Sequence, residues 1–347
     1  MNEAAARCGI LIACTTGNGG NKMRRRVLKA GALALAGIVA GGRVRPATAQ
    51  GAWPTRPIRL IVPYIPGSAP DVTARHVVDR MGAALGQPVV IENRGGAGGN
   101  IGNEIAARAA PDGYTLVLGT NAMLVLPQLH RRPVGYDPLR DFVPIVNLVA
   151  MPHLLIAPPD GPRSIAELID GLRRQPGQPY ASGGNGSGAH LAAEMFKAKA
   201  GVDAMHIPFR GAPDIVNNVM SGQVRFGLPT LSTATELVRS GRLRGLGVTS
   251  PQRNPALPDV PAIAETVPGF DLVSWFAILG PAGIPADIVR RVDEAARTAL
   301  ADPALRARIQ ADGTVVLGTP AARFAEFYRA EYTKWGEAVR LSGAQVD

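Results

Sequence analysis

Three short segments of this chain are built almost entirely from residues that expose backbone. They are Pro66-Gly67-Ser68-Ala69-Pro70-Asp71, Gly95-Gly96-Ala97-Gly98-Gly99-Asn100 and Ser182-Gly183-Gly184-Asn185-Gly186-Ser187-Gly188. Each lies between a predicted strand and a predicted helix. Each therefore places unpaired N–H groups at the positive end of a helix dipole, with side chains small enough for a ligand to approach. The chemistry this suits is the binding of an anion, a carboxylate or a phosphate. Gly and Pro also make ordinary turns, but three such loops favour a site over turn-making alone.

Other chemistries find little support. The glycines at 96, 98 and 102 give G-x-G-x-x-x-G in place of the dinucleotide fingerprint, and no Walker motif occurs. Ser187 has no glycine two residues before it, so no nucleophile elbow forms. The five histidines, His76, His130, His153, His190 and His206, show no metal-ligand spacing. His190, just after the third loop, reads equally well as an anion donor and as a structural group. His206 reads as packing at a strand end, and Arg75 and Glu194 as solvated charges on helix faces. No cofactor, metal or catalytic group is expected.

The elements that must carry these loops alternate. Ile58-Arg59-Leu60-Ile61-Val62 reads as a buried strand. Asp71 reads as the N-cap of a helix whose apolar positions Val72, Val77, Val78, Met81 and Leu85 run to Gly86. Strand Val89–Ile91, a helix from Asn100 to Ala109 and strand Tyr114–Leu118 follow. The alternation resumes through Pro179–Ala200, Met205–Met220, Val224–Ser240 and Leu243–Gly247. The region from Pro285 onward reads as mostly helical. Such alternation predicts parallel-rich sheets with helices on both faces, and the length suits two α/β lobes. No internal sequence repeat is visible.

Composition narrows the partners. The 347 residues are 46% hydrophobic and 18% charged, which excludes a disordered polar chain. Of the net charge of +10, most belongs to residues 1–49, which hold eight basic side chains and one acidic. The remainder is close to neutral with dispersed charge, so no nucleic-acid partner is expected. Residues 23–49 read as a signal peptide: Arg24-Arg25-Arg26-Val27-Leu28-Lys29, an apolar run Ala30–Ala40, and Ala47-Thr48-Ala49 as the cleavage site. The arginine pair resembles a twin-arginine signal, and either export route fits. Residues 1–22 read as an upstream extension, or Met23 as the true start. Cys8 and Cys14 both lie there, so the chain after Ala49 has no thiol chemistry.

Taken in order, several motifs make the chain recognisable: Pro57-Ile58-Arg59-Leu60-Ile61-Val62-Pro63, Glu92-Asn93-Arg94, Gly96-Ala97-Gly98-Gly99-Asn100-Ile101-Gly102 and Pro111-Asp112-Gly113-Tyr114-Thr115-Leu116. Further on come His190-Leu191-Ala192, His206-Ile207-Pro208-Phe209-Arg210-Gly211, Leu257-Pro258-Asp259-Val260-Pro261 and Ser274-Trp275-Phe276. This series resembles the Bug family, the extracytoplasmic solute receptors of tripartite tricarboxylate transporters. The resemblance implies a type II periplasmic-binding-protein fold, two α/β lobes with a ligand cleft between them. Residues 51–150 and 276–347 would form one lobe and 153–273 the other. It further implies a small carboxylate ligand held by backbone amides and bridging waters from the first two loops, while the opposite lobe selects the rest of the molecule.

On loop chemistry and resemblance together, ligand contacts are expected at Tyr64, Pro66, Gly67, Ser68, Ala69 and Asp71, then at Ala97, Gly98, Gly99 and Asn100. Thr120 and Asn121 follow, with Ser182, Gly183, Ser187, His190 and Thr230 from the second lobe. Two departures from the family pattern stand out. Ser68 follows Gly67 where a second glycine is usual, and Gly227 replaces an Asp expected at the second-lobe rim. The leading reading is a monomeric, non-enzymatic periplasmic receptor that closes on a carboxylate, with membrane transporter subunits as partners. A carboxylate sensor for a signalling partner and an enzyme on the same scaffold are the alternatives.

Overall fold

The run Ile58-Arg59-Leu60-Ile61-Val62 forms β1, buried at four of its five positions, because near-continuous apolar residues suit a strand covered on both faces. It pairs in parallel with β2 (Val89–Asn93) and β3 (Thr115–Thr120), with Leu60 opposite Ile91 and Leu116. A computed structural model describes residues 53–345. The export segment and upstream extension expected from the sequence lie outside the described residues.

Each of these strands leads into a helix: α1 (Ala69–Leu85) after β1, α2 (Asn100–Ala107) after β2, and α3 (Asn121–Leu129) after β3. The first sheet is completed by β4 (Phe142–Met151), β10 (Ser274–Pro281) and β11 (Val315–Thr319), in the order β2-β1-β3-β10-β4-β11. The second sheet contains β5 (Leu154–Ala157), β6 (Gln178–Ser182), β7 (Ala204–Pro208), β8 (Phe226–Gly227) and β9 (Arg244–Val248). Its order is β7-β6-β8-β5-β9. Helices α4 (Ile165–Arg174), α5 (Gly188–Ala200), α6 (Ala212–Met220) and α7 (Leu231–Arg239) accompany it. The chain ends with α8 (Ala286–Ala301), α9 (Pro303–Gln310) and α10 (Ala321–Ser342).

The two sheets repeat one plan. Three parallel strands stand in the order second, first, third, and the neighbour of the third is an antiparallel strand arriving from the other sheet: β10 beside β3, β5 beside β8. The chain crosses once between Met151 and Leu154 and returns into β10 at Ser274. Mixed sheets of this kind, covered by helices, are the α/β two-lobe architecture expected from the sequence.

Two local expectations are corrected. The N-cap of α1 is Ser68, with Asp71 in its first turn, because Pro70 fits the opening turn of a helix, where its missing N–H is not needed. The strand read from Val224 shrinks to Phe226–Gly227, since Leu228 and Pro229 follow and proline cannot extend a ladder. The region after Pro285 is mostly helical, as expected, and adds one strand: β11 lies on the sheet edge against β4, with Leu317 turned outward.

One buried group ties the two crossings. His153 follows β4, and its ring is 4% exposed. Its Nδ1 lies 2.9 Å from the Leu228 carbonyl and so must carry the proton, leaving Nε2 to accept from the Ser274 hydroxyl at 3.1 Å. Burial pushes the imidazole down to about 4, with the Leu228 and Pro229 carbonyls acting the other way. A histidine kept neutral on folding makes its full contribution above its unfolded pKa near 6.5. That contribution shrinks as pH falls from there toward 4. The melting temperature should therefore drop between pH 7 and pH 4, and His153→Gln should flatten part of that slope. An unchanged slope in the variant would remove His153 from the acid response.

Candidate functional site

The carboxyl ends of β1, β2 and β3 lie side by side, and the loops leaving them interlock around Tyr64. Its hydroxyl is 2.8 Å from Thr120 Oγ1, and burial raises its pKa. Thr120 in turn caps α3, accepting from the Ala122 N–H at 3.2 Å. Gly99 lies close enough that a Cβ would stand 3.4 Å from the Tyr64 hydroxyl. Gly102 has no room for one at all, with the Pro63 Cα and the Arg94 carbonyl each 2.8 Å away. The loop 96–99 runs through left-handed conformations at Gly96, Ala97, Gly98 and Gly99, with φ of 126°, 47°, 66° and 107°. Ala97 is the one non-glycine with positive φ among the described residues, a strained conformation of the sort that concentrates at functional sites.

Asp71 governs the first loop from beneath. It is 1% exposed and accepts the Gly67 N–H at 2.8 Å, Asn93 Nδ2 at 2.9 Å and the Arg75 guanidinium at 2.8 and 3.2 Å. Arg75 above all, with Gly67 and Asn93, holds its carboxyl down to about 2. Asn93 also donates to the Tyr64 carbonyl, so one side chain joins two loops. Arg75, read from sequence as merely solvated, is the counter-ion of a buried carboxylate. Ser68 turns its hydroxyl back to the Ile65 carbonyl at 2.7 Å.

The second lobe has its own cluster at the carboxyl ends of β6, β7 and β8. Ser187 caps α5, accepting from the His190 N–H at 3.2 Å. His190 is 3% exposed, accepts the Gly186 N–H on Nδ1 at 3.1 Å, and stacks on His206 with ring centroids 4.0 Å apart. His206 Nε2 lies 2.5 Å from Ser182 Oγ, and Ser182 accepts the Gly184 N–H. Glu194, also read as solvated, is in fact buried: it accepts from Tyr180 at 2.5 Å and from Lys197 at 2.8 Å.

The structure thus gathers the expected residues into two groups, one per lobe. In the first are Tyr64, Pro66, Gly67, Ser68, Ala69, Asp71, Ala97, Gly98, Gly99, Asn100, Thr120 and Asn121; in the second, Ser182, Gly183, Ser187 and His190. The groups approach at the hinge side, where Gly186 packs on Leu129 of α3 and Gly188 lies against His153 and Ser274. Thr230, the N-cap of α7 after β8, is bonded to Thr233 and bridged to His153, against which Gly188 also lies. Gly227 is not on a rim: it faces α6, and a Cβ would meet Ile215 at 2.5 Å. Sequence reasoning missed Asn93 and His153 as organising residues. Asn93 stood inside a recognised motif, whereas His153 gave no signal.

A cavity of about 520 Å³ also lies between the sheets, walled by Trp275, Val273, Val315, Leu317 and Phe327. Its cations are committed, Arg253 to Glu265 and Lys334 to Asp271 and Glu331. Apolar walls and paired charges suit a carboxylate poorly, so the loops remain the candidate site. Among the described residues no helix is long and apolar enough to cross a membrane.

Comparison with known proteins agrees with this geometry. Residues 73–343 match the family model described as tripartite tricarboxylate transporter family receptor. The chain is 34% identical over 320 residues to a Pseudomonas protein from the tcbD–tcbE intergenic region, covering 91% of this chain and 94% of the relative. It is also 34% identical over 314 residues to BugT of Bordetella pertussis, covering 89% and 96%. Among solved structures, Rpa4515 of R. palustris with adipate is 32% identical, covers 85% of this chain and all of that one, and gives a TM-score of 0.72. MatC of Rhodopseudomonas palustris with bound malate is 29% identical, covers 83% and 100%, and gives 0.69.

Removing Asp71 should test the first cluster. Asp71→Ala takes the shared acceptor from the Gly67 N–H, Asn93 Nδ2 and the Arg75 guanidinium, which should cost about 2 kcal/mol in urea unfolding. Asp71's lowered pKa supplies stability that is present above about pH 4 and lost as pH falls toward 2, and the variant should lack that loss. Wild-type stability in the variant would show that the loop is held by other contacts.

Proposed function

We propose, for a chain that belongs to the tripartite tricarboxylate transporter receptor family, that it captures a small carboxylate in the periplasm and presents it to a membrane transporter of the tripartite type. The observation that carries this reading is the matched pair of loop clusters. In each lobe, three parallel strands end at one edge and each leads into a helix, so amide groups and positive dipole ends converge where strands give way to loops. An anion bound there needs no protein cation, which agrees with the pairing of Arg75 to Asp71 and of Lys197 to Glu194. Similar structures hold adipate and malate, and the dicarboxylate class is the first to test here.

Capture works by closure. The two crossings, Met151–Leu154 and the entry to β10, are the natural hinge. Ligand drives the lobes together only through contacts that the closed form makes and the open form lacks, and amides from two lobes provide that difference. Water excluded on closure strengthens each amide–carboxylate contact. The closed form then offers a membrane partner a surface that neither lobe has alone. Export would end with cleavage after Ala49.

A thermal-shift screen with di- and tricarboxylates tests the ligand class. A ligand at a hundred times its Kd should add about 2.7 kcal/mol of stability. Small-angle scattering on the best hit should show a smaller radius of gyration with ligand than without. Stabilisation by no carboxylate would end the receptor reading. Tight binding with identical scattering curves would end the closure mechanism alone.

A further inference from the structure

The loop before α1 and the loop before α5 are the same turn built twice. In the first lobe Gly67 has φ 80°, Ser68 stands at the N-cap with φ −68° and ψ 158°, and the third helical residue, Asp71, reaches back to accept the Gly67 N–H. In the second lobe Gly186 has φ 73°, Ser187 stands at the N-cap with φ −64° and ψ 155°, and the third helical residue, His190, reaches back to accept the Gly186 N–H. Even the preceding bond repeats. The Ser68 N–H donates to the Ile65 carbonyl and the Ser187 N–H to the Gly184 carbonyl, both at 3.2 Å. In sequence the motif is Gly-Ser-x-x-acceptor, at Gly67–Asp71 and Gly186–His190.

The acceptors differ in charge. Asp71 is an anion at the N-terminus of α1, and Arg75 neutralises it one turn along. His190 accepts a backbone N–H on Nδ1, so that nitrogen carries no proton and the ring is neutral with its hydrogen on Nε2. Its surroundings keep it so. His206 stacks on one face, and Lys197 contributes repulsion, while Glu194, the nearby carboxylate, is bonded to Tyr180 and Lys197. Burial is the largest influence and brings the ring down to about 3. The second lobe therefore shapes its turn without placing a negative charge at the end of α5.

We propose that His190 is a positioning and specificity-determining residue: a neutral acceptor that fixes the Gly-Ser turn while leaving the α5 terminus free to attract an anionic group of the ligand. This deepens the carboxylate-receptor reading and rests on it for the ligand half of the claim. The turn half stands on geometry alone. A carboxylate at position 190 would make the same hydrogen bond and hold the same shape, but with no arginine one turn on it would repel the ligand and neutralise the positive end of α5 that attracts it.

Three variants separate shape from charge, because Asn and Asp both place an acceptor at the δ position of His190. His190→Asn should keep the turn and hold its affinity closer to wild type than the Asp variant does. His190→Asp should keep the turn and lose affinity by at least about tenfold. His190→Leu should lose both, since the Gly186 amide is left without a partner. The turn is read without ligand, from hydrogen-exchange protection of the Gly186 amide and from the nitrogen shifts of the His190 ring in the wild type. Affinity is read by calorimetry with adipate and malate, or with the tightest binder of the carboxylate screen.

A His190 ring found protonated or as the Nδ1–H tautomer at pH 7 would overturn the proposal. So would an Asp variant that binds like the Asn variant while both keep the Gly186 amide protected. If His190→Leu fails to fold, the Asn and Asp pair and the wild-type ring shifts still decide. If no carboxylate binds the wild type, the receptor reading falls and takes the charge claim with it, while the ring and amide measurements still support or refute the shared turn.

Discussion

A side chain reaching back from the first turn of a helix to the amide of a glycine before it is the contact on which this protein's loops depend. A backbone amide can face an anion only if no side chain stands between them and if the loop is held still. Glycine meets the first condition, but its conformational freedom works against the second. The reach-back hydrogen bond resolves the conflict, fixing Gly67 through Asp71 and Gly186 through His190. The second strand's loop uses another solution. There Gly96 to Gly99 are pinned by packing, with Tyr64, Pro63, Leu126 and Ile101 filling the space that side chains would occupy.

These loops inherit their positions from the sheets. Parallel strands bring their carboxyl ends to one edge, so the helices that follow also begin there, and six helix N-termini are sorted into two groups of three without any long-range recognition between them. The antiparallel fourth strand of each sheet is the chain's passage from the other, which makes the connection between lobes part of both sheets. Around that passage buried polar groups are paired: His153 with Leu228 and Ser274, and Glu331 with the indoles of Trp275 and Trp335. Helix α10 lies against α3 of one lobe and α5 of the other, so the C-terminal residues, which carry no chemistry of their own, help to set the geometry in which the lobes meet.

Charge is handled with economy. Arg75, Lys197 and Lys334 each sit within 4 Å of a buried carboxylate. The oriented backbone dipoles at the loops, in contrast, carry no proton and do not titrate. Such a site discriminates by shape and by where negative charge is tolerated, and both depend on which residue, carboxylate or imidazole, stands at the third position of each helix.

The amino-acid sequence by itself determined the three parallel strands of the first sheet, which loops would expose backbone, and that these loops suited an anion. Those properties are local: a run such as Ile58–Val62 is apolar enough to be buried, and Gly95–Asn100 is too small-sided to be anything but open backbone. The repetition of the Gly-Ser turn was also present in the letters, but it was invisible while His190 and Asp71 belonged to different residue classes. Only the tertiary structure decided the roles of the polar groups, because burial and partnership arise between residues far apart in the chain. Arg75 and Glu194 looked solvated until Asp71, Asn93, Tyr180 and Lys197 were brought to them. His153 and Ser274 are 121 residues apart, and no local pattern could have paired them. Gly227, expected at a rim, faces the core because Ile215 and Val219 of α6 close over it.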